Sequence, residues 1–193
     1  MRAVAALPPL PRRLGGRLCL DFVNTVEDRA SDHPQELLVS PDRLVDWALD
    51  AGALYVRPLR PADSALLQRT LVLREAFRRV LVRDGDAGDL HNVNDAIGAA
   101  GLHAVLRPVG DAFAWAWDAD DPEALFWALA RDMGTLLTDH PTVERVRTCA
   151  LDTCGWLFLD QSRNNSRRWC SMEGCGNVAK SRAFQTRRRA RRL

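Results

Sequence analysis

The sequence predicts an α+β protein: a mostly helical body with one β-hairpin, followed by a small treble-clef-like module built on four cysteines. Three observations predict it. Apolar residues recur at helical spacing through most of the first 140 residues, one pair of segments alternates instead, and a seven-residue cysteine phrase occurs twice near the end. The expected division is a body over 1–140 and a module over 141–193.

In chain order, Met1 to Gly16 is broken by Pro8, Pro9 and Pro11, too short and kinked for a signal segment, and no run is long enough for a membrane span. The protein is therefore expected to be cytoplasmic. Gly15 to Thr25 alternates Leu18, Leu20 and Phe22, and reads as a short strand or the first turn of a buried helix. Asp21, Asn24 and Thr25 stand in this apolar company as capping groups or as a candidate ligand site. Cys19 reads as a core residue.

Ser40-Pro41-Asp42 opens a helix, with Ser as N-cap and Pro at the first position, and Gly52 stops it. Pro61 to about Arg83 reads as the longest helix, its apolar stripe including Leu66, Leu67, Leu73 and Phe77. Its arginines, Arg69, Arg74, Arg78, Arg79 and Arg83, read as a solvated face. Leu90 to Ala100 is a shorter helix. The period then changes: His103–Pro108 and Ala112–Trp117 flank Val109-Gly110-Asp111 as a hairpin. Phe113, Trp115 and Trp117 alternate with alanines, a row expected to pack on the long helix, the other reading being a solvent-exposed platform on which bases stack. Asp121-Pro122 starts a helix with Leu125, Phe126, Leu129 and Met133 inward, and Val143–Thr148 and Trp156–Asp160 read as strands.

The repeated phrase is Cys149-Ala-Leu-Asp-Thr-Cys154-Gly155 and Cys170-Ser-Met-Glu-Gly-Cys175-Gly176. Four thiols paired this way suit a tetrahedral zinc site, one structural Zn2+ per chain. Disulfides are the other reading of such cysteines; they need an oxidising compartment, to which nothing here directs the chain. The Gly after each second Cys permits a positive φ that turns N–H groups toward a thiolate. Four cysteines close a site, whereas a catalytic zinc keeps an open position. His33, His91, His103 and His140 show no ligand spacing, and no phosphate loop or nucleophile elbow occurs, so catalysis is not expected.

Charge is divided unevenly. Residues 1–148 carry 17 basic and 22 acidic side chains, residues 149–193 carry 10 and 3. An acidic body with a basic end points to a polyanionic partner for that end.

The tract from Cys154-Gly-Trp through Cys175-Gly-Asn177 to Lys180 resembles the CGNR zinc finger, and Leu-Cys-Leu-Asp-Phe-Val-Asn-Thr25 resembles the opening of the ABATE domain that precedes it. Members are bacterial and described as stress-induced transcription regulators, so the resemblance implies zinc binding and DNA binding. It places the metal on Cys149, Cys154, Cys170 and Cys175. Val178 stands where the motif has Arg, which implies that this Arg's work is absent or moved to Lys180 or Arg182.

Arg163, Arg167 and Arg168, between the cysteine pairs, are candidates to brace the metal or to meet nucleic acid. Lys180, Arg182, Arg187, Arg188 and Arg189, followed by Arg191 and Arg192, are candidates to grip a DNA backbone from a helix beginning near Val178. An RNA or protein partner is the alternative. The body is left to sense a ligand or to hold a homodimer together.

Overall fold

The computed structural model describes residues 9–190; Met1 to Pro8, Arg191 and Arg192 lie outside the described residues. Helix α1 (Leu18–Val23) decides the strand-or-helix question for helix. Six residues cannot hold a helix alone, and the N-cap, Arg17, makes no side-chain cap. Asp132 supplies one from far along the chain: its carboxylate accepts from the Cys19 N–H at 2.9 Å and pairs with Arg17 at 2.6 Å. Cys19 is fully buried, as expected of a core residue.

Strands β1 (Val26–Glu27) and β2 (Gln35–Glu36) form a short antiparallel ladder. Helix α2 (Pro41–Ala51) opens with Ser40 accepting from the Arg43 N–H at 3.2 Å and ends at left-handed Gly52, φ 79°. Helix α3 (Ser64–Leu81) buries Leu66, Leu67, Leu73, Ala76 and Phe77. It also buries Arg74, which corrects the expectation of a wholly solvated arginine face. Arg74 is 3 % exposed, bonded to Thr25 at 2.8 Å and ion-paired to Glu36 and Glu75. Arg29 adds two hydrogen bonds to Glu75, at 2.7 and 3.0 Å. Burial pushes the Glu75 carboxyl up, but the two arginines outweigh it and hold it below the usual carboxylate range. A buried arginine persists only with partners of this kind, and they come from β2 (Glu36), from Thr25 just before β1 and from α3 itself (Glu75).

Helix α4 (Ala87–His103) begins before Leu90 because Asp86 and Asp89 cap each other's backbone N–H groups in a capping box. Strands β3 (Val105–Val109) and β4 (Ala112–Ala116) form the expected hairpin. Its aromatic row is not core. Phe113 is 71 % and Trp115 45 % exposed; the Arg131 guanidinium lies 4.5 Å over the Trp115 ring, and Trp117 reaches inward, donating Nε1–H to the Ala100 carbonyl at 3.1 Å. The reason is competition: α4 and helix α5 (Ala124–Thr138) already cover α3, and α5 buries Leu125, Phe126, Leu129 and Met133.

A short helix α6 (His140–Val143) leads into antiparallel β5 (Val146–Thr148) and β6 (Leu157–Leu159). Strand β6 serves two cores at once. Leu157 and Leu159 enter the main helical core, while Phe158, on the opposite face, joins the cluster around the cysteines. Fully buried Asn24 receives this strand: its side chain donates to the Leu157 carbonyl and accepts from the Leu157 N–H, both at 2.8 Å.

Asn24→Ala leaves that buried N–H and C=O without partners. It is expected to lower stability by about 3 kcal/mol, measured as an earlier urea midpoint with unchanged slope.

Candidate metal centre and its basic surroundings

The hairpin β5–β6 carries the first cysteine turn at its tip, and the loop after β6 carries the second. The four Sγ atoms of Cys149, Cys154, Cys170 and Cys175 lie within 4.8 Å of one another, the one such ligand cluster among the described residues. Cys154 and Cys170 are 3.7 Å apart at sulfur, Cys170 and Cys175 3.5 Å. Sulfurs bound tetrahedrally at about 2.3 Å from one ion would be about 3.8 Å apart, whereas a disulfide needs about 2.05 Å. All are free thiols. The cysteines are thus positioned to hold one metal ion, and an all-sulfur, closed set fits a structural Zn2+.

Crowding the thiols separates their acidities. Cys154 and Cys170 hydrogen-bond Cys149 and push it down to about 2, and backbone N–H groups of Cys170 and Leu151 act in the same direction. Cys154, whose S–H donates a hydrogen bond to Cys149, is pushed up to about 12. Cys170 is raised by its bonds to Cys149 and Cys154, and Cys175 is raised chiefly by burial. Packed thiols alone therefore hold little negative charge, and a divalent cation supplies what lets the rest ionise.

The two Cys-Gly turns differ. Gly155 has φ 66° and lies so close to the loop after β1 that a Cβ would come within 3.2 Å of Ala30. Gly176 does not adopt positive φ. It ends a single π-helical turn (Met172–Gly176), where a Cβ would fall 2.7 Å from the sulfur of the half-exposed Met172 side chain, which would have to shift. The first turn is stitched to the body: Ala30 N–H donates to the Thr153 carbonyl at 3.1 Å, and Trp156 Nε1–H to the Val26 carbonyl at 2.9 Å.

Of the candidate cations between the cysteine pairs, Arg167 is held inward. It donates to the Trp169 carbonyl at 2.9 Å and to the Cys170 carbonyl, and its guanidinium lies 4.4 Å over the Phe158 ring. Arg163 and Arg168 are exposed. Sequence reading missed the organiser of this loop, buried Asp160, whose carboxylate accepts from the Ser162 and Arg167 N–H groups at 2.8 Å each. An Asp closing an apolar strand, with Ser two residues on, is the turn pattern that signals it. Burial pushes Asp160 up, and these hydrogen bonds outweigh it and leave the carboxyl below its usual range.

Helix α7 (Asn177–Ala190) follows the π-turn and buries no residue. Asn177 braces its start by donating to the Glu173 carbonyl at 3.0 Å, and Arg182 pairs with Asp152 in the first cysteine turn. Lys180, Arg187, Arg188 and Arg189 are exposed. Lys180, Arg187 and Arg188, spaced i, i+7 and i+8, share one face with Phe184, which is 61 % exposed. Arg182 and Arg189 lie on the other side.

The candidate ligand residues of α1 are already engaged. Asp21 accepts from the Gly15 N–H at 2.7 Å, Thr25 donates to the Phe22 carbonyl at 2.8 Å and accepts from Arg74, and Asn24 holds Leu157. Capping and bridging are the roles these bonds fill.

The family model described as "ABATE: Putative stress-induced transcription regulator" matches residues 16–140, and that of the CGNR zinc finger matches residues 145–188. No curated protein matches the chain. No helix among the described residues is long and apolar enough to cross a membrane.

Because thiol protons must leave as the ion binds, zinc affinity rises with pH. Chelator competition is expected to show binding at least about a hundredfold tighter at pH 8 than at pH 6. Cys170→Ser removes the sulfur touching both Cys154 and Cys175 and is expected to abolish zinc retention; a variant purified with a full equivalent of zinc would overturn the ligand assignment.

Proposed function

This chain belongs to the ABATE family, and we propose that it is a bacterial transcription regulator that binds DNA through α7, with the zinc module anchoring the start of that helix. One observation carries the reading: α7 buries none of its own residues, is anchored at its start and by Arg182, and presents Lys180, Arg187 and Arg188 outward together. A helix that buries nothing earns little stability from its own chain, so a partner of opposite charge fits it. Fourteen residues make about 21 Å of helix, and the major groove of DNA admits one.

The basic residues then divide by role. Lys180, Arg187 and Arg188 meet phosphate or base edges, with Arg189, Arg163 and Arg168 flanking them. Arg167 and Arg182 hold the module together. Val178, 41 % exposed where the motif has Arg, leaves Arg182 to tie α7 to the first cysteine turn. A homodimer belongs to this reading, since two copies would set two α7 helices at a fixed spacing. Exposed Phe184 amid the cations supports a second reading, an unpaired RNA base stacked on its ring.

Zinc-loaded protein offered a random duplex library and single-stranded RNA, across a salt series, distinguishes the two. Enrichment of a duplex motif with affinity falling steeply in salt supports DNA; preference for the single strand supports RNA; no salt-sensitive binding to either overturns both. Alanine at Lys180, Arg187 and Arg188 together is expected to flatten the log–log salt slope by about two to three. Arg167→Ala is expected instead to lower the unfolding midpoint of the zinc module.

A further inference from the structure

The β3–β4 hairpin ends on an unpaired edge. Among the described residues no other strand joins it, and Leu106, Val109, Phe113 and Trp115 are 57, 61, 71 and 45 % exposed. A lone two-stranded ribbon is marginal in water, and its two edges are not alike. Strand β3 carries Arg107 and Pro108, the residue types that blunt an edge. Strand β4 is Ala112-Phe113-Ala114-Trp115-Ala116, uncharged, without proline and paired without a bulge.

The register identifies the backbone groups that face out. Gly110 (φ 59°) and Asp111 make a two-residue turn closed by Val109↔Ala112, which in such hairpins is a hydrogen-bonded pair. Pairs alternate from there, so Pro108↔Phe113 and Leu106↔Trp115 are non-hydrogen-bonded pairs. Pro108, lacking an N–H, fits only that phase. Phe113 and Trp115 therefore turn their N–H and C=O groups to the free edge.

We propose that β4 pairs antiparallel with β4 of a second copy of this chain about a two-fold axis at Ala114, giving a four-stranded sheet in the order β3-β4-β4-β3. In that register Phe113 meets Trp115 of the second copy and Trp115 meets Phe113, so every outward backbone group on both edges is satisfied at once. A slip of one residue would set them against alanines whose groups already bond β3. The Phe–Trp pairs fall on one face, an arrangement that adds to strand pairing.

The strand itself selects a second copy at this edge, because Ala112-Phe113-Ala114-Trp115-Ala116 has the same small–aromatic–small pattern read in either direction from Ala114. The whole chain carries a formal net charge of only +2, so little long-range repulsion opposes two copies. Phe113 and Trp115 together expose roughly 250 Å² per copy, so even with the edge backbone the pair buries less than the roughly 1,000 Å² of a stable specific interface. A weak, reversible dimer, populated at high protein concentration, is expected. The pairing goes beyond the nucleic-acid reading and does not depend on it.

Sedimentation of the zinc-loaded full chain without nucleic acid, from about 1 µM to about 300 µM, is expected to show monomer passing to dimer. Phe113→Lys sets a charge in the paired edge and is expected to weaken association at least about tenfold, with zinc content and unfolding midpoint unchanged. Phe113→Pro, which removes an outward N–H without breaking the ladder, is expected to do the same. Ala114→Cys brings two thiols together across the axis, with Cα atoms about 4.5 Å apart, and is expected to give a covalent dimer on mild oxidation, while Ala112→Cys does not. A monomer throughout the range, a dimer indifferent to Phe113→Lys, or cross-linking through position 112 as fast as through 114 would each overturn the proposal.

Discussion

The two-way hydrogen bond between the Asn24 amide and the backbone of Leu157 is the constraint on which the rest of the molecule turns. A side-chain amide has one donor side and one acceptor side in the same geometry as a peptide, so Asn24 replaces a neighbouring strand for β6. Because both partners are buried, water cannot substitute for either bond. With β6 held there, Leu157 and Leu159 complete the helical core and Phe158 is turned to the cysteines. The metal centre and the body thus share one strand.

From that strand the fixation spreads outward in short steps. The first cysteine turn is pinned by the Trp156 indole and by the Ala30–Thr153 bond, Arg167 closes the second turn from within, and Arg182 ties the following helix to Asp152. Each bond is modest, but together they leave α7 anchored at its start and open to solvent along its length. The charge cluster of Arg29, Arg74, Glu36 and Glu75 does comparable work on the other side of Thr25, so that α1 and the loop after it are held from both directions. An uncharged hairpin edge and a basic helix remain outside this frame, and both are surfaces whose chemistry calls for a partner.

Local rules were legible where the responsible residues are neighbours in sequence. Ser40 capping α2, the turn at Gly110, the helical stripe of α5 and the two cysteine phrases all act over a few residues, and each was readable. Misreadings share a different cause. Arg74 looks solvated because its partners, Thr25 and Glu36, lie 49 and 38 residues away. The aromatic row of β4 looks like core because alternation marks one face of a strand, yet does not say whether another element has already covered the neighbour. Gly176 looked like a conformational glycine, yet the π-helical turn that it ends leaves it outside the positive-φ region.

The sequence by itself determined the helical body, the hairpin, the four thiol ligands and the basic character of the end, because spacing and charge are properties of the chain. Only the tertiary structure decided that α1 is a helix, through a cap lent by Asp132, and that Asp21, Asn24 and Thr25 are engaged within the fold. It alone divided the arginines into those that brace and those that face out. A guanidinium reads the same in any sequence; what separates the two groups is whether carbonyls, carboxylates or water surround it once the chain has closed.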